Sequence, residues 1–325
     1  MIFPKYLSDN DTLGVTACSC GVLKKINKYE DSINNVKSVG KFNIIETSNV
    51  RTDGVVSSDR YTRKNELESL YKDDNVKAIT IASGGDFLSD MLSILDYDTI
   101  RNNVKWLCGS SDPTSLLFTV TTNLDSATIY SPCNMSGFNI SPLHESYVNY
   151  FEILKGNLVK QCKYDTYEGE SFTDEMDTPN EWLNINGNVD ESGILIGGCI
   201  DSLKDVIGTK FDKTKEFIDK YKDKGIIWYF DIFSMTSEGL YNTLVQFRNA
   251  GWFDNCKAIL FSKVCIPNTY VDMTYEELIE KAIPDIKVIY KFDVGHVKPS
   301  FTMINGSYVR VVSNENEGYL EYLDN

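Results

Sequence analysis

The sequence predicts an α/β protein: an N-terminal domain with a mainly parallel sheet and helices on both faces, and a smaller, mixed α/β C-terminal domain with an antiparallel ending. Three observations lead to this fold class. Strand-like apolar runs alternate with segments of helical spacing in the first half, this alternation resumes after residue 192, and the chain ends in alternating residues. Strands separated by helices pair in parallel, and the helices then cover both faces of the sheet.

The elements of the first half, which we assign to a domain of residues 1–160, alternate regularly. Strands are predicted at 13–17, 42–45, 76–81, 105–108 and 127–130. Helices are predicted at 61–71, 87–95 and 113–124, where Pro113 suits a first helical turn. His144 opens a further amphipathic helix, 144–154, and a surface or capping role fits it best.

The periodicity dissolves between residues 161 and 192, where acidic and aromatic residues predominate. This composition predicts a linker or a loop over the substrate, with Trp182 as its largest apolar side chain. A second domain, 193–325, then carries strands at 193–198, 226–230 and 258–261 and helices at 212–222, 237–250 and 275–282. Near its end, Asn305-Gly306 predicts the turn of a hairpin within 300–312.

Composition excludes several classes of function. The net charge of -15 disfavours nucleic acid and anionic membranes as partners, because like charges repel. The eight cysteines have no zinc-site spacing, so we expect reduced thiols and no metal. The start of the chain lacks the apolar stretch of a secretory signal, and no run approaches the ~18 apolar residues of a membrane span. A cytoplasmic location is the expectation.

One candidate catalytic segment is Cys108-Gly109-Ser110-Ser111-Asp112-Pro113, where an apolar strand runs into a glycine, two serines and a helix start. A sharp strand-to-helix turn can expose a serine oxygen and aim free backbone N–H groups at an anionic intermediate. An ordinary helix N-cap explains the same residues. The G-x-S-x-G pattern of other hydrolases is absent.

Other candidates also follow strands. His144 and His296 are the only histidines, and His296 comes after a strand and a glycine, where it can project into a cleft. Asp231 ends another strand and could orient an imidazole, although a cap or turn role is equally open. Gly84-Gly85 could supply an oxyanion N–H, or could simply form a turn.

Together these residues resemble the LD-carboxypeptidase family, which includes the microcin C immunity proteins. Gly109-Ser110-Ser111-Asp112 resembles its Gly-Tyr-Ser-Asp, and Asp293-Val294-Gly295-His296 resembles its Pro-Val-Gly-His. Leu95-Asp96-Tyr97-Asp98 is similar to its Leu-Asp-Tyr-Asp, and Gly197-Gly198 to a Gly-Gly pair. The resemblance covers nearly the whole chain.

The resemblance implies roles for particular residues. Ser111 would be the nucleophile, His296 its base, and Asp231 would stand where the family has a glutamate. Backbone N–H groups of Gly85 and Asp112 would form the oxyanion hole, and the residues that contact the substrate would be Ser83, Gly84 and Trp182. The family implies a small peptide or peptidyl-nucleotide substrate, no metal or organic cofactor, and a homodimer.

Three departures qualify the resemblance. Ser110 replaces a tyrosine, so two adjacent serines compete for the nucleophile role. Asp231 is one methylene shorter than glutamate, which leaves Glu238 as a possible substitute and a catalytically impaired, peptide-binding protein as the alternative function. Ser83 stands where muropeptide carboxypeptidases carry arginine, and residues 172–175 with Trp182 resemble the immunity proteins' substrate loop. A dinucleotide-binding fold is disfavoured because no G-x-G-x-x-G occurs.

Overall fold

The computed structural model describes residues 1–169 and 171–323. Glu170, which falls in the 161–192 segment, lies outside the described residues, as do the last two positions of the predicted second domain. The chain divides into two units, one of residues 1–158 with 302–304 and the other of residues 159–301 with 305–325. Each unit is built around its own sheet.

The helices are, in chain order, α1 (Ile26–Asn35), α2 (Arg60–Lys72), α3 (Ser89–Leu92), α4 (Tyr97–Asn102), α5 (Thr114–Leu124), α6 (Glu145–Leu154), α7 (Ile200–Leu203), α8 (Thr214–Tyr221), α9 (Ser237–Asn249) and α10 (Tyr275–Ala282). The strands are β1 (Thr12–Thr16), β2 (Asn43–Glu46), β3 (Val76–Ile81), β4 (Trp106–Gly109), β5 (Thr128–Tyr130), β6 (Gln161–Cys162), β7 (Thr166–Tyr167), β8 (Thr178–Pro179), β9 (Leu183–Ile185), β10 (Val189–Cys199), β11 (Ile226–Ile232), β12 (Cys256–Val264), β13 (Val288–Phe292), β14 (Met303–Asn305), β15 (Tyr308–Ser313) and β16 (Gly318–Tyr322). None of the helices in the described part of the chain is long and apolar enough to cross a bilayer.

The sheet of the first unit has the strand order β14-β5-β4-β3-β1-β2. Strands β1 to β5 pair in parallel throughout, because a helical segment connects each strand to the next along much of the chain. Their carboxyl ends therefore meet at one edge of the sheet, which is the edge where open α/β sheets bind ligands. The segments that begin at Ala17, Ala82 and Ser110 all leave the sheet there.

The sheet of the second unit is mixed, in the order β6-β16-β15-β10-β11-β12-β13-β9. Its four central strands, β10 to β13, are parallel, and antiparallel strands flank them on both sides. A stacked aromatic group supports this sheet, with Trp228 and Trp252 at a 5.6 Å centroid separation and Phe247 against Trp252 at 4.3 Å. This packing fixes β11, the strand that carries Asp231.

The predicted fold class is confirmed, and most predicted elements lie within two residues of their observed bounds. His144 caps α6 by accepting the N–H of Ser146, as its position suggested. The predicted helix at 87–95 is wrong in length, because only the single turn α3 forms before Asp96 caps α4.

The predicted hairpin at Asn305-Gly306 is wrong. Strand β14 joins the sheet of the first unit, whereas β15 joins that of the second, so the two strands do not pair with each other. The side chain of Asn305 is fully buried, and its Oδ1 accepts hydrogen bonds from Gly197 N at 3.1 Å and from Tyr229 Oη at 2.9 Å. The antiparallel hairpin of this region is instead β15–β16.

The 161–192 segment contains the short strands β6 to β9, and β9 pairs with β13 at the edge of the second sheet. Trp182 is only 8% exposed, and its ring packs against Phe292 at a centroid distance of 4.4 Å and Phe301 at 6.0 Å. These contacts give Trp182 a structural role in the second unit.

Candidate active site

Ser111 occupies a strained turn between β4 and α5. Its φ of 67° lies in the left-handed region, which is uncommon for a residue with a Cβ. Such strain concentrates at functional sites, and a serine on a sharp strand-to-helix turn is the arrangement that exposes the nucleophile in α/β-hydrolases. Its backbone N–H donates to Tyr130 Oη at 3.0 Å, and this hydrogen bond ties the turn to β5.

The structure distinguishes the two adjacent serines. Asn134 clamps the backbone of Ser110, accepting its N–H at 3.0 Å and donating to its carbonyl at 2.9 Å. Ser110 therefore serves as the fixed residue from which the turn at Ser111 begins. No described residue of the first unit hydrogen-bonds the hydroxyl of either serine, so the backbone clamp on Ser110 and the left-handed φ of Ser111 are what distinguish the two residues.

The end of β3 lies against the serine turn. A Cβ added at Gly84 would lie 3.3 Å from Ser111 Oγ, so the absence of a side chain allows this close approach. A Cβ added at Gly85 would overlap Ser19 Oγ and lie 2.7 Å from Cys20 Sγ. Within the described part of this unit, no acceptor takes the N–H of Gly85 or of Asp112, the two groups that the resemblance assigns to an oxyanion hole.

The carboxylate of Asp112 holds these segments together. Its Oδ2 accepts the hydroxyl of Ser19 and the N–H of Leu88, the latter at 3.1 Å. Burial raises the pKa of Asp112, and the bond from Ser19 opposes that rise. The Asp112 side chain thus ties the segment after β1 and the segment after β3 to the start of α5.

In the second unit, the imidazole of His296 contacts the carboxylate of Asp231. Nδ1 of His296 is 2.7 Å from Oδ2 of Asp231, and the backbone N–H of His296 lies 3.2 Å from Oδ1. The carboxylate is fully buried, whereas the imidazole is 16% exposed and stacks against Phe233 at a centroid distance of 4.6 Å. A carboxylate at Nδ1 fixes the proton on that atom and leaves Nε2 as the proton acceptor.

The charge of Asp231 decides the protonation of His296. Burial alone lowers the pKa of this histidine, but the attraction and hydrogen bond of Asp231, with a smaller contribution from Asp201, raise it above its ordinary value. Glu238, the proposed substitute, is instead a half-buried residue in the first turn of α9, where its Oε2 lies 3.4 Å from Tyr270 N. Asp231 is therefore the acid that pairs with the histidine.

Cys199, Asp231 and His296 form the one group of potential metal ligands found among the described residues, with ligand atoms within 4.8 Å of one another. Zinc bonds to nitrogen and oxygen are about 2.0–2.2 Å long, so two ligands of one ion lie more than 3 Å apart. The 2.7 Å between Nδ1 and Oδ2 leaves no room for an ion between them. The arrangement fits a direct imidazole–carboxylate pair better than a metal site.

The acidic segment of the second unit is tied to the residues after His296. Glu168 is fully buried and accepts the backbone N–H of Lys298 at 2.9 Å, while the Lys298 ammonium binds Asp174. Phe172 lies in the same segment and is 59% exposed. A cavity of about 430 Å³, lined in part by Glu168, Cys265 and Val297, lies beside this segment.

Sequence reasoning missed several residues that shape these sites. Asn134 follows β5 at the carboxyl edge of the first sheet, and that position alone could have marked it. Lys25, whose ammonium reaches Ser83, and Asp201, which accepts the N–H groups of Phe233 and Ser234, carry no local signal. Their partners lie more than 30 residues away in the sequence.

Several known proteins are similar to this chain. A Vibrio cholerae protein provisionally named a carboxypeptidase is 26% identical over 92% of this chain and 91% of its own length. The microcin C7 self-immunity protein MccF of Escherichia coli is 27% identical over 78% of this chain and 76% of its own length.

Solved structures share the fold. MccF in complex with aspartyl sulfamoyl adenosine has a TM-score of 0.85 at 19% identity, and the alignment covers 100% of this chain and 99% of that one. Muramoyltetrapeptide carboxypeptidase from Oxalobacter formigenes has a TM-score of 0.75 at 17% identity, with 96% and 99% covered.

Family profiles match both halves of the chain. The profile of the LD-carboxypeptidase N-terminal domain matches residues 13–131, and that of the LD-carboxypeptidase C-terminal domain matches residues 192–311. The chain therefore belongs to the LD-carboxypeptidase family.

Proposed function

We propose that this protein is a serine hydrolase that cleaves an amide bond in a small peptide, with Ser111 as nucleophile, His296 as general base and Asp231 as the residue that orients the base. The observation that carries the proposal is the 2.7 Å approach of a fully buried carboxylate to Nδ1 of His296. The left-handed turn at Ser111 supports the choice of nucleophile.

The proposed reaction has two steps. Oγ of Ser111 attacks the amide carbonyl carbon while Nε2 of His296 takes the hydroxyl proton, and the developing oxyanion accepts hydrogen bonds from the N–H groups of Gly85 and Asp112. The imidazolium then returns the proton to the leaving nitrogen as the C–N bond breaks. Water, deprotonated by His296, cleaves the acyl-serine ester and regenerates the hydroxyl. Asp231 remains ionised throughout and stabilises the imidazolium.

Two substrate classes are proposed. One is a cell-wall peptide with an L,D amide bond, which the family name and the carboxypeptidase relatives support. The other is an aminoacyl or peptidyl nucleotide of the kind that MccF binds. The proposed enzyme acts as a cytoplasmic homodimer, with the nucleophile on the N-terminal domain, the histidine and its acid on the C-terminal domain, and no organic cofactor in the steps above.

Hydrolysis assays on one substrate of each class test the proposal. The wild-type protein is expected to cleave an L,D-tetrapeptide or an aspartyl sulfamoyl nucleotide, and Ser111→Ala is expected to lower kcat/KM on the order of 10⁴-fold or more. Ser110→Ala is the matched control and should retain most of the activity. Full activity in Ser111→Ala would exclude Ser111 as nucleophile, and binding without turnover by the wild type would favour the peptide-binding alternative.

A further inference from the structure

A half-buried ammonium group lies at the carboxyl end of β3. Lys25 ends a short 3₁₀ turn, Leu23–Lys25, and its Nζ donates to Ser83 Oγ at 2.7 Å. Ser83 is only 4% exposed and immediately precedes Gly84. Fifty-eight positions separate Lys25 from Ser83, so the fold, and not local sequence, brings the cation to this strand end.

This cation has no counter-ion in the described structure. No described carboxylate lies within 4.0 Å of Lys25 Nζ, and Asp86, three residues beyond Ser83, is exposed and makes no ion pair with it. Burial lowers the pKa of Lys25, and the charged or titratable neighbours that modify this effect are Cys20, Lys28 and Cys133. A partly desolvated ammonium without an anion is costly unless a ligand supplies the anion.

The unused hydrogen-bond donors of Lys25 and Ser83 also favour an anionic ligand at this place. An ammonium has three N–H donors, and among the described residues Ser83 Oγ is the acceptor that takes one of them. The hydroxyl of Ser83 has a proton of its own to donate, because it acts as acceptor towards Lys25. Two N–H donors and one O–H donor at one place match the oxygens of a carboxylate.

The place of the Lys25–Ser83 pair relative to Ser111 indicates which part of a substrate the pair could contact. Gly84 follows Ser83 directly, and a Cβ at Gly84 would lie 3.3 Å from Ser111 Oγ. Consecutive Cα atoms are ~3.8 Å apart, so Ser83, whose hydroxyl holds the cation, lies about one residue length from Gly84, the residue beside the nucleophile. An anion at Lys25 would therefore belong to a residue that contributes one side of the scissile amide.

We propose that Lys25 and Ser83 form a subsite for a substrate carboxylate next to the scissile amide. This inference rests on the proposed function for the position of the reacting bond. The carboxylate could be the terminal α-carboxylate of the leaving residue, or the side-chain carboxylate of an acidic residue on the acyl side. Both sources present the same group to the ammonium, and paired ligands distinguish them.

Calorimetric titration of the Ser111→Ala protein tests the subsite without turnover. The first ligand pair is an L,D-tetrapeptide with a free carboxyl terminus and the same peptide amidated there. The second is aspartyl and asparaginyl sulfamoyl adenosine. The acid of one pair is expected to bind 10- to 100-fold more tightly than its neutral partner, as charge-assisted hydrogen bonds predict. The pair that shows the preference identifies the source of the carboxylate.

Introducing Lys25→Met into the Ser111→Ala protein should abolish the preference for the acidic ligand, because methionine keeps the apolar stem of lysine and removes the charge. Lys28→Met is the matched control: Lys28 is an exposed lysine in α1, and its removal should leave the preference intact. Equal binding of acid and neutral ligands in both pairs, or a preference that survives Lys25→Met, would overturn the proposal.

A second readout separates this inference from the proposed function. With Ser111 restored, the Lys25→Met protein should still react with a fluorophosphonate, because the subsite does not activate the nucleophile. It should also show a raised KM for the preferred acid with little change in kcat. If the wild-type protein shows the acid preference but does not react with the fluorophosphonate, the carboxylate subsite stands and the proposed nucleophile fails.

Discussion

The backbone of Gly295 lies against the carboxylate of Asp231. A Cβ added at Gly295 would overlap Oδ1 of Asp231, and the φ of 97° at Gly295 turns the chain so that the N–H of His296 faces the same oxygen. Glycine is the residue that allows both the close approach and this conformation. This close approach brings the N–H of His296 within 3.2 Å of the aspartate carboxylate.

Gly295→Ala is expected to destabilise the protein and displace the imidazole–carboxylate pair. Gly187→Ala is the matched control, because Gly187 has a similar φ of 103° and no atom within 4 Å of the added Cβ. We expect a loss of about 1–3 kcal/mol of unfolding free energy for Gly187→Ala from backbone strain. Gly295→Ala should lose about 3–5 kcal/mol, because a buried pair is also disturbed. Equal losses in urea denaturation would show that Gly295 does not constrain Asp231.

The acidic limb of the pH–rate profile should follow the deprotonation of His296. The base must be neutral to act, so kcat/KM should rise with pH through the raised pKa of His296, with its midpoint above the ordinary value of about 6.5. Asp231→Asn removes the charge that raises this pKa, so the limb should move to lower pH while the plateau falls by about 10³- to 10⁴-fold.

Asp201→Asn is the control for that experiment. Asp201 raises the pKa of His296 less than Asp231 does, so its removal should shift the limb in the same direction by a smaller amount. A profile that does not move in Asp231→Asn would mean that this carboxylate does not set the protonation of the base.

The pKa values of the two histidines should lie on opposite sides of the ordinary pKa of histidine. Burial lowers the pKa of His144, whereas Asp231 raises that of His296. Proton NMR of the imidazole C–H resonances can follow both groups, and His144→Gln assigns them because the chain has only two histidines. Titration of His296 below His144 would contradict the account.

The raised pKa of His296 also has a consequence for stability. The stabilisation from its pairing with Asp231 is fully present below the unfolded pKa of about 6.5 and is lost as pH rises through the higher folded pKa. The contribution of Asp231 to the free energy of unfolding, measured as the loss in Asp231→Asn, should therefore be larger at pH 6 than at pH 9. A loss that is independent of pH would show that the pair is not charged in the folded protein.

Asn305 should stabilise the second unit through its buried amide. Asn305→Leu removes the acceptor that Gly197 N and Tyr229 Oη use, at an expected cost of about 1–3 kcal/mol for each donor left without it. Tyr229→Phe removes one of these donors and should cost less. In the double variant the two losses should be less than additive, because they share one hydrogen bond. Fully additive losses in chemical denaturation would contradict this coupling.

Local patterns predicted the features that depend on local sequence. The strand-to-helix turn at Ser111, the buried strand that carries Asp231 and the position of His296 after β13 all follow from hydrophobic periodicity and turn residues. Parallel pairing of the central strands followed from their separation by helices.

Features that depend on tertiary contacts could not be predicted in this way. Asn305-Gly306 has the sequence of an exposed hairpin turn, but the buried hydrogen bonds of Asn305 place its flanking strands in different sheets. Strands β6 to β9 have two or three residues each, too few for a periodic signal. Trp182 stood out as a large side chain in an irregular segment, and only its contact with Phe292 reveals a packing role.

The most direct test of the catalytic account is labelling by a fluorophosphonate, followed by mass mapping of the adduct and measurement of the labelling rate. We predict a single adduct on Ser111 in the wild-type protein and in Ser110→Ala, and a labelling rate at least about 10²-fold lower in His296→Ala, because the imidazole supplies general-base catalysis. An adduct on Ser110, or labelling of Ser111 at the same rate without His296, would contradict the account.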